Sequence, residues 1–342
     1  MRRSTIRHLK LLVLVAASAA LVACQLPSAP GTPGVIPEPE PPAPEIVEPE
    51  PEPLPPPPPP EPPSPLLRWY PREIHLGDYF VLQLENVTAE DTIRSTLDPP
   101  AQFFPHDGGQ KALVPLSYWA TGDSLVFQVM VERRGETILD REVRIVIADK
   151  EFDTQRLYVT AEQSAMRTDD LWAKDWVHIS KARVDSHDEP LWEGNFLMPV
   201  EGRISTEFGE IRYINDVPSG RHSGLDIAAP TGTPIVAGNS GIVTLSMELN
   251  VTGNTVIIDH GLNLFGTYYH LDQLGVEAGD WVDKGDVIGT VGSTGFSTGP
   301  HLHWTMGIGH TPISPWLLVD EDPLALFSFF DTPDEAPEGP LR

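Results

Sequence analysis

Cysteine is almost absent from this chain of 342 residues. Cys24 is the single one, so no internal disulfide can staple the fold. Basic residues are scarce as well, 23 Lys and Arg against 49 Asp and Glu, for a formal net charge of −26. That balance excludes nucleic acid as a partner, because phosphates need a basic surface. It selects no other partner, since excess acid often serves only solubility. Long apolar runs are also missing. The N-terminal run "LLVLVAASAALVA" falls short of the about 20 residues that cross a bilayer.

That run follows a basic head of Arg2, Arg3, Arg7 and Lys10 and ends in "LVAC". A basic head, a short apolar core and small residues make a signal peptide. The terminal Leu21–Cys24 stretch resembles a bacterial lipobox, and the resemblance implies an acylated Cys24 as the mature N-terminus. Several acyl chains give durable anchoring where one does not. Residues 1–24 are therefore read as a lipoprotein signal peptide. Gln25 at the next position points to the outer membrane in enteric-type sorting, facing the periplasm.

Residues 25–66 hold more than half of the 37 prolines, interleaved with Glu and with no Lys or Arg before Arg68. Such a stretch builds no core and favours extended polyproline II. It is read as a disordered linker, reaching on the order of 120 Å if fully extended. From 67 to 150 the runs "YFVLQLENV", "DSLVFQVMVERRG" and "REVRIVIADK" alternate apolar and polar residues, the mark of half-buried strands. A β-sandwich domain is expected there, with His75 and His106 as isolated histidines, structural or surface-exposed. Leu171, Trp172, Trp176 and Ile179 recur near helical spacing behind Thr168 or Asp169 as cap, so about 161–186 reads as helix and 151–195 as a helical connector. From 196 to 325 short β-rich runs are broken by glycine, as in an all-β domain. Residues 326–342 are read as a disordered tail. The fold class is thus mainly β.

Six of the eleven histidines lie between 222 and 310. His222 and Asp226 stand four apart in "RHSGLDIAAP", where Gly224, Pro230, Gly232 and Pro234 favour loop and strand over helix. His301 and His303 flank one leucine in "GPHLHW". Zinc takes imidazole and carboxylate ligands, and a catalytic zinc keeps three protein ligands and one open place. His222, Asp226 and one histidine of the pair make such a set. Histidines two apart on a strand share a face, so both could ligate, or one could ligate while the other works on a water. Spacing leaves both arrangements open.

The stretch from "FGEIRYIND" through "RHSGLDIAAP", "GNTVIIDHG" and "GTYYHL" to "TGPHLHW" resembles the lysostaphin/LytM-type zinc metallopeptidases over about 205–306. The resemblance implies a C-terminal antiparallel β peptidase domain, lysostaphin-like with the duplicated hybrid motif, binding one Zn2+ per chain. It implies His222, Asp226 and His303 as metal ligands and His270 and His301 as catalytic histidines. It further implies hydrolysis of peptide cross-links in peptidoglycan, D,D-endopeptidase in type, with stem peptides as substrate and the membrane met through the lipid anchor. Some relatives have lost zinc ligands and serve as regulators of cell-wall amidases, but all five positions are kept here; the alternative reading is a zinc-binding regulator that activates such an amidase. His260 is read as turn structure or groove lining. Asp216 departs from the glycine common in relatives, in a loop before the site where it would bear on substrate access. A carrier domain is a further rival, because "VEAGDWVDKGDVIGTVG" has the cadence of biotinyl and lipoyl domains. Lys284 would then have to be exposed at a hairpin tip. The upstream region is expected to position the peptidase domain or to occlude its groove.

Overall fold

A computed structural model describes residues 63–106, 109–328 and 330. The residues read as signal peptide with Cys24, those read as linker up to 62 and those from 331 onward lie outside the described residues. Among those described, no helix is long and apolar enough to cross a membrane. The fold is mainly β, with antiparallel pairing dominating the C-terminal region.

The first strands are β1 (Leu66–Tyr70), β2 (Glu73–His75), β3 (Tyr79–Glu85), β4 (Asp91–Ser95), β5 (Phe104–His106), β6 (Gly109–Pro115), β7 (Ser124–Arg133) and β8 (Glu136–Ala148). They form two four-stranded sheets, ordered β1-β3-β6-β5 and β2-β8-β7-β4. Alternation in β7 buries Phe127, Val129 and Val131, which meet Phe80, Leu82 and Leu84 of β3 between the sheets. Arg134 and Gly135, both at positive φ, make the two-residue turn that joins β7 to β8. β3 is apolar on both faces because it is covered on both: Tyr79 and Val81 pack with Phe208 and Leu225 of the C-terminal region.

Next come β9 (Thr154–Leu157), α1 (Ala161–Ala165) and α2 (Asp169–Ala182). Thr160 and Gln163 close a capping box on α1, and the Thr168 hydroxyl caps α2 by accepting from Leu171 N. Both helices lie within 161–186, and the connector begins with a strand. β9 adds to a C-terminal strand, and its "TQRL" carries no apolar alternation because its side chains are exposed or half-exposed. On α2, Ile179 and Asp175 take the buried positions, whereas Trp176 is exposed and meets the His310 ring.

The C-terminal region contains β10 (Arg203–Thr206), β11 (Ile211–Ile214), β12 (Val217–Arg221), β13 (Leu225–Ala228), β14 (Pro234–Val236), β15 (Gly241–Leu249), β16 (Gly253–Asp259) and β17 (Leu264–Leu274). It continues with β18 (Trp281–Val282), β19 (Val287–Val291), β20 (His301–Ile308), β21 (Thr311–Ile313), α3 (Trp316–Asp320) and α4 (Ala325–Ser328). A ten-stranded sheet runs β10-β13-β20-β17-β16-β15-β18, with β14, β19 and β21 paired off this path. β11 pairs antiparallel with β12 and parallel with β9. Along β20, Leu302, Trp304, Met306 and Ile308 enter the main core. Period two then sends His301, His303 and Thr305 to the opposite face.

Three of the described residues read as tail from 326 are not exposed. Leu326, Phe327 and Phe330 are buried in the same core as Leu318. The apolar content of "LFSFF" accounts for this: these side chains gain more from burial than their ordering costs.

Candidate metal centre and groove

Three adjacent strands set the site. Asp226 of β13 stands opposite His303 of β20, and His303 stands opposite Tyr269 of β17. His222 lies in the turn just before β13. Its backbone is pinned in both directions, His222 N donating to Glu210 O and Gly209 N donating to His222 O. Gly224 lets β13 approach β20, since a Cβ there would lie 2.1 Å from Trp304 O.

His222 Nε2, Asp226 Oδ1 and His303 Nδ1 converge in one small triangle. His222 Nε2 and His303 Nδ1 lie 2.9 and 2.7 Å from Asp226 Oδ1 and 2.8 Å from each other. All three residues are buried. The outer ring nitrogens decide what the triangle holds. His222 Nδ1 donates to Glu207 O at 2.9 Å. His303 Nε2 faces the Thr305 hydroxyl at 2.9 Å and the Ser223 hydroxyl at 3.3 Å. With a proton on each outer nitrogen, two imidazole lone pairs and a carboxylate oxygen point at one another. A cation between them turns that repulsion into ligation, and outer-nitrogen partners of this kind orient metal-bound histidines. The donor set therefore fits a metal ion.

Burial acts to raise the Asp226 carboxyl, but the His222 and His303 rings beside it outweigh burial and hold it well below the carboxylate range. Burial pushes His303 down to about 4, against the pull of Asp226, so the ring is neutral at pH 7 as a ligand must be. Arg212 of β11 adds a cation at the edge, with Nη2 3.4 Å from Asp226 Oδ2.

The other two histidines stand beside the triangle. His301 Nδ1 donates to Gly299 O at 2.8 Å, leaving Nε2 3.6 Å from Asp226 Oδ1. His270 Nδ1 donates to Thr294 O at 2.8 Å, and its ring centroid is 4.9 Å from that of His301. His270 departs from regular strand geometry, with φ at 63° inside β17. Tyr268 faces the core and Tyr269 the opposite side, so regular alternation would send His270 inward. The left-handed residue, next to a register shift at Leu271, re-aims it into the groove. Burial and the neighbouring His301 and His303 push His270 down to about 3.

These side chains open on a groove of about 340 Å³, lined also by Gln155, Arg203, Arg212, Phe296 and Thr298. The structure thus brings His222, Asp226, His270, His301 and His303 together. His260 is elsewhere: it is fully buried, donates from Nδ1 to Ser240 O at 2.8 Å and meets Phe196 edge-on, so it is structural and lines no groove. Asn215 and Asp216 form the two-residue tip between β11 and β12, both at positive φ, a conformation Asn and Asp tolerate in place of Gly. Asp216 accepts from Arg156 and the Tyr158 hydroxyl, tying that tip to the connector. Lys284 is not free at a hairpin tip, since Nζ donates to the carbonyls of Glu193 and Asn195.

Several groove residues carry no sequence signal of their own. Gln155 bridges Thr206 and Arg212 at 2.6 and 2.7 Å, a link that depends on β9 joining β11. Arg212 lies inside "FGEIR", five residues past Glu207, and only the fold aims it at Asp226.

Residues 220–315 match the profile of peptidase family M23. The curated DD-carboxypeptidase/endopeptidase Mpg of Neisseria meningitidis serogroup B is 44% identical over 116 residues, covering 34% of this chain and 27% of Mpg. The peptidoglycan DD-endopeptidase ShyA of Vibrio cholerae serotype O1 is 32% identical over 143 residues, 41% of this chain and 33% of ShyA. The chain thus spans about a third or less of the length of these curated relatives. A crystal structure from Pseudomonas aeruginosa, described as a peptidase M23, superposes with a TM-score of 0.51 at 23% identity, over 71% of this chain and 93% of that one, a likeness of fold. The likeness to M23 peptidases thus falls on the C-terminal region, the part that carries the triangle and the groove histidines.

Proposed function

We propose that this C-terminal region is a zinc-dependent endopeptidase of the M23 kind that hydrolyses peptide cross-links of peptidoglycan, with D,D specificity. The observation that carries the reading is the buried triangle of His222 Nε2, Asp226 Oδ1 and His303 Nδ1 with two further histidines on its open side. The relatives' names support the substrate class.

His222, Asp226 and His303 would hold the ion, the three protein ligands of a catalytic site. Zinc bound there supplies Lewis acidity toward a scissile carbonyl and a water nucleophile. The chain's own residues do the rest. His270 and His301 each give Nδ1–H to a backbone carbonyl, so each presents the lone pair of Nε2 to the groove. Either nitrogen can take the proton of an attacking water and return it to the departing amine. Positively charged after that transfer, the rings stabilise an oxyanion beside them. The 3.6 Å between His301 Nε2 and Asp226 Oδ1 keeps His301 at the edge of the triangle, which suits proton transfer.

The lipobox at Cys24 and the proline-rich linker support a place in the cell envelope, tethered to the outer membrane and reaching the wall from the periplasmic side. The test is digestion of isolated wall sacculi by the full chain. New peptide termini are expected, lost with a chelator and restored by zinc. His303→Ala should lose both zinc and activity, and His301→Ala activity alone. Zinc loss in the His301 variant with zinc kept in the His303 variant overturns the assignment.

A further inference from the structure

The groove carries the charge opposite to that of the chain. Its lining includes two arginines, Arg203 and Arg212, and a single carboxylate, Asp226, which already faces two imidazoles. Arg212 is engaged through Nε with Gln155 and through Nη2 with Asp226. Arg203 is exposed, and among the described residues its guanidinium has no hydrogen-bond or ion-pair partner.

Register fixes where Arg203 stands. Arg203 pairs with Ala228, and Ala228 pairs with His301. The three form one row across β10, β13 and β20. The next row, Ile204, Ile227 and Leu302, turns the other way into the core. Two strand spacings place the Arg203 and His301 backbones on the order of 10 Å apart. Only the Ala228 methyl stands between them in the row, so nothing long blocks the floor. A planar, unpaired guanidinium at such a place matches a carboxylate in two-pronged fashion.

We propose that Arg203, seconded by Arg212, is a subsite for a carboxylate of the substrate peptide. An extended peptide advances about 3.3–3.6 Å per residue, so that carboxylate lies within about three residues of the scissile bond. Arg203 is then a specificity-determining residue that touches substrate away from the reacting atoms. The inference rests on the peptidase reading for what the peptide is, and on the groove alone for its charge. The carboxylate is either a chain terminus or a side chain, and both offer the same chemistry.

The test uses the zinc-loaded full chain and a cross-linked stem peptide whose scissile amide is replaced by a non-hydrolysable methylene-amine. It is prepared with all carboxylates free, with the terminal carboxylate amidated, or with the side-chain carboxylates amidated. Calorimetry should show Arg203→Gln weakening the free-acid peptide about tenfold or more, the weight of a charge-assisted hydrogen bond. Arg203→Lys should recover part of the loss. One amidated peptide should bind the wild type and the Gln variant alike, and that peptide identifies the source of the carboxylate. Equal weakening of all three peptides, no weakening of any, or no binding of the free acid to the wild type at millimolar concentration overturns the subsite. If the cycle holds while the matching hydrolysable peptide is left intact, the peptidase reading fails and the subsite stands.

Discussion

Asp175 offers the sharpest test of how this site is held. It is fully buried on α2, and among the described residues no Lys, Arg or His forms an ion pair with it. Its carboxylate instead collects four N–H donors from the tip joining β15 to β16. Oδ1 accepts from Asn250 N at 2.9 Å and Asn250 Nδ2 at 2.8 Å, and Oδ2 from Val251 N at 2.6 Å and Thr252 N at 3.4 Å. The carbonyl of Thr252 then accepts from His270 N at 2.9 Å. A helix outside the peptidase motifs thereby fixes the backbone of a histidine in a left-handed conformation.

In Asp175→Ala the three short bonds are lost and their donors stay largely buried. Hydrogen bonds to a charged group contribute about 1.5–3 kcal/mol each, so after some relaxation the loss should be about 4–6 kcal/mol. Against a total stability of about 5–15 kcal/mol this is a large share. The melting temperature, followed by circular dichroism, should fall by about 10–20 °C. Asp175→Asn keeps one oxygen and should lose roughly half as much. Turnover of wall peptides, measured well below the variant's melting point, should drop on the order of a hundredfold as His270 drifts. A melting temperature within about two degrees of the wild type refutes the stability argument. A large fall in stability with unchanged turnover refutes the link to His270.

His260 makes a pH prediction. Burial pushes it from 6.5 down to about 4, so the unfolded chain binds its proton first, and the stability it contributes is present above about pH 6.5 and lost as pH falls toward 4. At about 1.4 kcal/mol per pH unit the loss is about 3 kcal/mol, and His260→Gln should lessen the drop in unfolding free energy between pH 7 and pH 4 by that much; equal drops in both proteins contradict it. For Gly224→Ala, the added methyl meets Trp304 O and must push β13 from β20, parting Asp226 from His303. Zinc binding by equilibrium dialysis should weaken by about a hundredfold or be lost, whereas wild-type affinity would show that the strands do not need the close approach.

The share of the site legible in the sequence is the share whose geometry is local. His301 and His303 share a face because strand period is two, and His222 and Asp226 come together across one short turn. The unequal standing of the "HLH" pair was not legible, because it depends on outer nitrogens. Gly299 O takes Nδ1–H of His301, whereas Thr305 receives Nε2 of His303, so only His303 directs Nδ1 into the triangle. His270 escaped periodicity because a left-handed residue breaks it. Asp175 was hidden for a different reason: an acid on a helix reads as solvent-facing until the partner loop is known. The same holds for β3, where alternation suggested one buried face and a second core covers the other.

The connector bears on whether the upstream region positions or occludes. Gln155 and Leu157 of β9 line the groove, and Gln163 of α1 approaches Ser297 O at its rim. β9 reaches this place by parallel pairing with β11, register Arg212 with Gln155. Gln155 in turn holds Arg212 Nε, and Arg212 holds Asp226. Burial lowers the Arg212 guanidinium, and Asp226 and Glu210 counter that by favouring its charged form. Removing β9 would therefore leave Arg212 without its neutral partner and Asp226 without a fixed cation at the edge of the triangle. The described part of the connector forms a wall beside the histidines and braces, through Gln155, the arginine at the edge of the His222–Asp226–His303 triangle.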